Sequence, residues 1–205
     1  VKTLHPIIYA GILAKDEKSL KSIKKTSYSL IDIVIVNLYP FEQVISKKNC
    51  KFSDAIENID IGGPTMLRAA AKNHNRVTVL TDPNDYQAVI KEIKSKGDTT
   101  KDLRYKLALK VFSLVSKYDS AITNYLIENS KTKENLMPTE LSIVLEKANN
   151  LRYGENPHQN AALYNIKTPK SLGFNFKQLA GKELSFNNLV DSESALSCVK
   201  QFQKM

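Results

Sequence analysis

"LIDIVIVNLYPF", residues 30–41, is the stretch whose reading sets the fold class. Its β-branched apolar run encloses a single charge, Asp32, and stops at Tyr39-Pro40. Such a run suits a strand buried on both faces, as in a parallel sheet. Proline ends it, having no N–H to offer a neighbouring strand. Ligands of open α/β sheets lie beyond the carboxyl ends of the strands. That rule puts Asn37, Leu38 and Tyr39 at a candidate site edge. Asn37 carries donor and acceptor groups suited to a base edge or a ribose, while turn chemistry is the simpler account of it. Tyr39 fits a site wall or a loop aromatic packed on the core equally well.

Working outward, "RVTVLT" (76–81) reads as a second strand, and "DPNDYQAVIKEIKSKG" as a helix after it. Asp82 is its N-cap, Pro83 its first position, Asp85 its third and Gly97 its stop. Between the strands, "FSDAIENI" (52–59) predicts a short helix capped by Ser53. "IDIGGPTMLRAAAKNH" (59–74) predicts a second helix, with Pro64 at the first position and Asn73 and Asn75 as left-handed stops. Strand, helix, strand, helix argues an α/β sheet with parallel crossovers. From Thr100 to Asn129 apolar residues recur every three or four positions, and two helices are expected to meet near Tyr118-Asp119-Ser120. "ENSKTKENLMPTE" (128–140) reads as a linker. Beyond it, a short strand, a Gly181 turn and a helix from about Asn188 are expected, and the segment 141–205 reads as the start of a further domain.

The 205 residues carry a net charge of +9, yet only four of the basic residues are arginine: Arg68, Arg76, Arg104 and Arg152. Arginine is the residue that reads bases and phosphates bidentately. The lysines are mixed with acids, which favours solvated faces and small anionic ligands over a nucleic-acid surface. No apolar run approaches the roughly 18 residues of a membrane span. The start "VKTLHP" is no signal peptide, and the first residue, Val1, suggests that an N-terminal portion is absent. Cys50 and Cys198 imply no disulfide framework and fit a reducing cytosol. His5, His74 and His158 lack metal-ligand spacing, "GGPTML" is no phosphate loop, and no Gly-x-Ser-x-Gly elbow occurs.

Gly62-Gly63 before a helix is a weak candidate for an anion or carbonyl site. Lys72 lies two turns further on and cannot serve the same anion. By spacing alone it is a surface lysine favoured by the helix dipole. Lys2 and Thr3 are either phosphate ligands or a frayed terminus. Spacing therefore yields an α/β protein with a taste for small anions.

Five motifs carry more: "VKTLHP", "VNLYPF", "NIDIGGPTMLRAAAKNH", "LRYGENPHQ" and "GKELSFNNLVDSESAL", in that order. Together they resemble the bifunctional purine-biosynthesis family that joins aminoimidazole carboxamide ribonucleotide (AICAR) formyltransferase to inosine monophosphate (IMP) cyclohydrolase. The resemblance implies an α/β, methylglyoxal-synthase-like, doubly wound sheet over 1–140, lacking its N-terminal part. It implies the truncated start of a cytidine-deaminase-like transformylase domain over 141–205. It implies formyl transfer from 10-formyltetrahydrofolate to AICAR, then dehydrative closure of formyl-AICAR to IMP without a metal. On the matching motif positions Lys72, Lys2, Tyr39 and Asp60 become catalytic, with Lys72 the proton donor and acceptor. Thr3, Val36, Asn37, Ile61, Arg152 and Tyr153 become substrate contacts. The partners implied are these nucleotides and folate, in a cytoplasmic homodimer, with no nucleic acid or membrane. The family's transformylase lysine-histidine pair and its first phosphate loops are not in this sequence, so little transformylase and impaired cyclohydrolase activity are expected of these 205 residues alone. The alternative is a non-catalytic purine-nucleotide-binding module.

Overall fold

The computed structural model describes residues 4–21, 29–130, 139–166 and 178–202. They form two compact units, Val1–Thr139 and Glu140–Met205.

In the first unit β1 (Ile33–Ile35) and β2 (Thr78–Leu80) run parallel, with Val34 opposite Val79. The pairing extends past both ends: the Thr78 amide donates to the Asp32 carbonyl at 2.8 Å, and the Val36 amide to the Leu80 carbonyl at 3.1 Å. Parallel strands need a long crossover. Here α3 (Phe41–Ile45), α4 (Phe52–Glu57) and α5 (Gly62–Lys72) supply it. Helices α1 (Pro6–Leu13) and α2 (Glu17–Lys21) precede β1. A 3-10 turn (Pro83–Asp85), α6 (Tyr86–Lys96) and α7 (Lys101–Glu128) follow β2. The α/β alternation expected from the sequence is the one observed.

The core joins Leu67, Ala70 and Ala71 of α5 to Val77, Val79 and Leu80 and to Leu107, Val111 and Val115 of α7. Small alanines let α5 lie close to the sheet, and their burial removes apolar surface from water. β2 is buried throughout, but β1 is not buried on both faces as its sequence suggested: Ile33 is 42% and Ile35 55% exposed. α5 packs on both strands while α7 packs on β2, so one face of β1 stays uncovered among the described residues.

Several local readings are corrected. α5 begins at Gly62, so Pro64 is its third residue, still within the first turn where amides have no helical partner. Ser53 lies inside α4; the N-cap is Lys51, whose amide donates to the carboxylate of Asp54, the third helical residue, at 3.4 Å. α7 is one helix, because Ser120 donates back to the Ser116 carbonyl at 2.8 Å and needs no break to be satisfied. Asn73 has φ −97°, not a left-handed conformation, and donates its side-chain amide to the carbonyls of Ile12 (2.7 Å) and Ala14 (3.0 Å). Asp82 and Gly97 (φ 77°) punctuate the α6 region as expected.

In the second unit β3 (Leu145–Leu151) and β4 (Ala161–Ile166) pair antiparallel, with an irregularity between Lys147 and Asn149. β3 is not foreshadowed by apolar alternation, which "LEKANNL" lacks. α8 (Phe186–Phe202) begins two residues earlier than expected, where Ser185 and Asn188 exchange bonds: amide to Oδ1 at 3.0 Å and amide to Oγ at 3.3 Å. Gly181 turns the chain at φ 92°, but residues 178–180 ahead of it form no strand. The core of the expected linker, 131–138, lies outside the described residues. Among the described residues no helix is long and apolar enough to cross a membrane.

Candidate functional site

At the carboxyl end of β1 the chain turns through Tyr39-Pro40 into α3. Phe41 anchors this turn: it is 1% exposed and meets Tyr118 and Tyr125 edge-on, ring centres 6.2 and 5.7 Å away. Asp60 then staples the turn to α5. One carboxylate oxygen accepts from the Tyr39 amide at 3.3 Å, the other from the Gly63 amide at 2.8 Å. Negative charge at a helix N-terminus is favoured by both the free amides and the dipole. Asp60 therefore engages the Gly63 amide that an external anion at Gly62-Gly63 would use.

Gly63 is the residue this staple requires. A Cβ on it would stand 2.5 Å from Asp60 Oδ2 and 2.9 Å from Leu38 Cδ2. The Asp60 backbone is fixed in turn by Tyr118 of α7. Its hydroxyl accepts from the Asp60 amide at 2.8 Å and donates to the Asn58 carbonyl at 3.2 Å. Burial, above all, raises the Tyr118 pKa; the charges of Asp60 and Asp119 push the same way. The phenol thus stays protonated and able to donate. Nothing in the local sequence marks Tyr118 as a support for Asp60, 58 residues away.

Around this acid lie the other residues expected at the first site. Tyr39 and Ile61 are 57% and 60% exposed. Asn37 is exposed and donates to the Thr81 carbonyl at 3.3 Å, tying the loops that leave the two strands. Val36 is half-buried, with its amide committed to Leu80. So Val36, Asn37, Tyr39, Asp60 and Ile61 share the carboxyl end of the sheet. Lys2 and Thr3 lie outside the described residues.

Lys72 does not join them. It is the last residue of α5, exposed. At about 1.5 Å rise per residue its Cα stands roughly 15 Å along the axis from Gly62. The turn behind it is tied by two arginines. Arg76 donates to the carbonyls of Gly11 (2.7 Å), Ile12 (3.2 Å) and Ala14 (2.9 Å) and pairs with Asp32. Arg104, 6% exposed, donates to the carbonyls of His74 (3.1 Å) and Asn75 (3.2 Å) and pairs with Asp98 at 3.2 Å. The reading of the sequence assigned neither arginine this role.

In the second unit Arg152 and Tyr153 are held by their backbone: Arg152 donates to the Leu184 carbonyl at 2.8 Å, and Phe186 to the Tyr153 carbonyl at 3.1 Å. The exposed Arg152 guanidinium lies 4.9 Å from the centre of the Tyr153 ring and donates to its hydroxyl at 3.3 Å. This bond, foremost, lowers the Tyr153 pKa; a bond from Ser185 and the arginine charge add to it. The turn that follows is closed by Gly154, whose amide meets the Gln159 carbonyl at 2.8 Å. Among the described residues no group of three His, Cys, Asp or Glu could hold a metal ion.

Comparison with known proteins matches residues 70–205 to the AICARFT/IMPCHase bienzyme family and residues 5–65 to the MGS-like domain. The join between the two matches falls within α5, not at the boundary of the compact units. A solved structure described as the crystal structure of ForH is 33% identical, with TM-score 0.52, over 60% of this chain and 65% of that one. The chain thus spans less than two-thirds of that protein's length.

Proposed function

We propose, from the premise that this chain belongs to the AICARFT/IMPCHase bienzyme family, that its first unit carries out the dehydrative ring closure of formyl-AICAR to IMP. Residues 1–140 are then the cyclohydrolase domain and 141–205 the start of the transformylase, in a cytoplasmic homodimer.

In this reaction the carboxamide nitrogen attacks the formyl carbon. A C–N bond forms as the carboxamide nitrogen gives up one proton and the formyl oxygen gains one to become a hydroxyl; that hydroxyl then takes a second proton and leaves as water, while the formamide nitrogen loses its proton and forms the C=N bond. An amide nitrogen is a weak nucleophile, so the step needs a base at nitrogen, stabilisation at oxygen and an acid for the leaving group. Asp60 and Tyr39 orient the carboxamide and pass its proton. Lys72 is proton donor and acceptor, and Lys2 faces the formyl oxygen. Thr3, Val36, Asn37 and Ile61 contact the nucleotide. None of these roles calls for a metal.

The observation that supports this reading is the Asp60 carboxylate, held by the Tyr39 and Gly63 amides at the carboxyl end of the sheet. In the second unit Arg152 and Tyr153 contact AICAR, which receives its formyl group from 10-formyltetrahydrofolate. An exposed guanidinium suits a phosphate and a phenol beside it suits hydrogen bonding.

Asp60→Asn tests the reading. Ring closure of formyl-AICAR, followed by ultraviolet absorbance, should slow by about 100-fold or more, the usual scale of a lost proton-transfer group. A rate unchanged from the parent would refute it. A binding module without chemistry would show IMP binding and no turnover in either protein.

A further inference from the structure

Tyr39 and Asp60 reach the site from different parts of the chain, and neither sits inside a helix or strand. Tyr39 lies between β1 and α3, Asp60 between α4 and α5. Groups that move protons must hold their places closely, since a displacement of about 1 Å can cost about 100-fold in rate. Loop residues gain such precision only from what packs behind them. One side chain stands behind both loops: Tyr118 of α7, which is buried.

The two ends of Tyr118 address the two loops separately. Its ring meets Phe41 edge-on, and the Phe41 amide donates to the Tyr39 carbonyl at 2.8 Å. A three-residue turn of that kind leaves little slack between Phe41 and Tyr39. The hydroxyl serves the link from α4 to α5. There the amides of Asn58 and Ile59 still bond back into α4, whereas that of Asp60 finds its partner in Tyr118. The same hydroxyl donates to the Asn58 carbonyl at 3.2 Å. The circuit closes where the Asp60 carboxylate accepts from the Tyr39 amide. Phe41, Ala55 and Tyr118 form a core cluster of their own, and Leu38 and Ile59, the neighbours of Tyr39 and Asp60, pack against it. Val36 and Asn37 are held otherwise, by bonds to Leu80 and Thr81.

We infer that Tyr118 is a positioning residue for ring closure, which sets Tyr39 and Asp60 in register with each other while its hydroxyl is spent on backbone partners. This rests on the ring-closure reading above and goes beyond it. Phenylalanine at this position keeps the ring against Phe41 and loses only the hydroxyl. The Asp60 amide is then left without its partner, and the link answers by rotating, which carries the carboxylate away from Tyr39. Val36 and Asn37 stay in place, because their ties run to the other strand. Turnover and nucleotide binding are therefore separable at Tyr118.

A double-mutant cycle on the full chain tests this. Tyr118→Phe, Asp60→Asn and the double variant are compared with the parent in ring closure of formyl-AICAR. Tyr118→Phe should lower kcat about 10-fold and leave KM within about twofold. In the Asp60→Asn background the same change should alter kcat by less than about twofold, since a residue that acts through Asp60 has nothing left to act on. Thr99→Val is the control. It also removes a buried hydroxyl, one that bonds Thr78 and Arg104 where β2 begins, at the opposite edge of the sheet. It should lower the urea unfolding midpoint and keep the parental kcat. A loss from Tyr118→Phe that is equal in both backgrounds, a rise in KM with kcat intact, or no change in either would overturn the positioning role. So would a matching loss of kcat from Thr99→Val, which would mark a general effect of lower stability. If Asp60→Asn closes the ring at the parental rate, the ring-closure reading itself falls, and this inference with it.

Discussion

The two ends of α5 are built on opposite principles. At the N-terminal end the functional group itself is fixed: both oxygens of Asp60 are engaged by backbone amides, and its own amide is engaged by Tyr118. At the C-terminal end the backbone is fixed and the functional group is left free. Asn73, Arg76 and Arg104 tie the turn, and Lys72 points into solvent. An immobile acid and a presented cation thus stand at the two ends of one rigid rod.

The largest effect on this contrast should come from Arg104→Gln. The guanidinium is buried, satisfies the His74 and Asn75 carbonyls, and bonds the Thr99 hydroxyl at 3.0 Å. That hydroxyl is itself 2.7 Å from Thr78 of β2. Removing one partner of a buried, charge-assisted network typically costs about 3 kcal/mol. The urea unfolding midpoint should fall accordingly. An unchanged midpoint would mean that the C-terminal end is not rigid by design.

Gly63→Ala strikes the other end. The added methyl must displace the Asp60 carboxylate or Leu38, at roughly 1–3 kcal/mol. Because the clash is with Asp60, ring closure should fall more than stability does. Equal activity at reduced stability would separate the staple from the chemistry.

Tyr118→Phe is the gentlest. It orphans the Asp60 amide and should cost about 1 kcal/mol at neutral pH. The sign of its pH dependence follows from burial. The folded phenol holds its proton to higher pH than the unfolded one, so its contribution is complete below about pH 10 and is lost as pH rises beyond that. The stability gap between parent and variant should narrow in that alkaline range. A gap that widens there would contradict the burial of this phenol. Tyr9 and Tyr125 are raised in the same direction, so the variant keeps part of the alkaline loss.

Much of the first unit was legible because its signals are local. Asp82 and Gly97 punctuate the α6 region through their own backbone and side-chain chemistry. The apolar period of α7 reports burial directly, while the β-branched run of β1 marks the strand but not its uncovered face. The misreadings came where a local signal was satisfied by something else. Ser120 suggested a helix break, yet its hydroxyl found a carbonyl one turn back. Asn73 suggested a left-handed stop, yet its amide found α1, 59 and 61 residues away. β3 gave no apolar alternation to read, and its pairing with β4 is what defines it.

By itself, then, the sequence determined the α/β alternation, the family, and the short list of residues with chemistry to offer. Those are properties of residue type and order along the chain. The tertiary structure alone decided where those residues stand. It closed the glycine turn with Asp60, set Tyr118 behind that acid, and placed Lys72 at the far end of the rod. The reason is the pitch of a helix. Twelve positions of separation look close in a motif, but wound at about 1.5 Å per residue they put two charged groups beyond each other's reach.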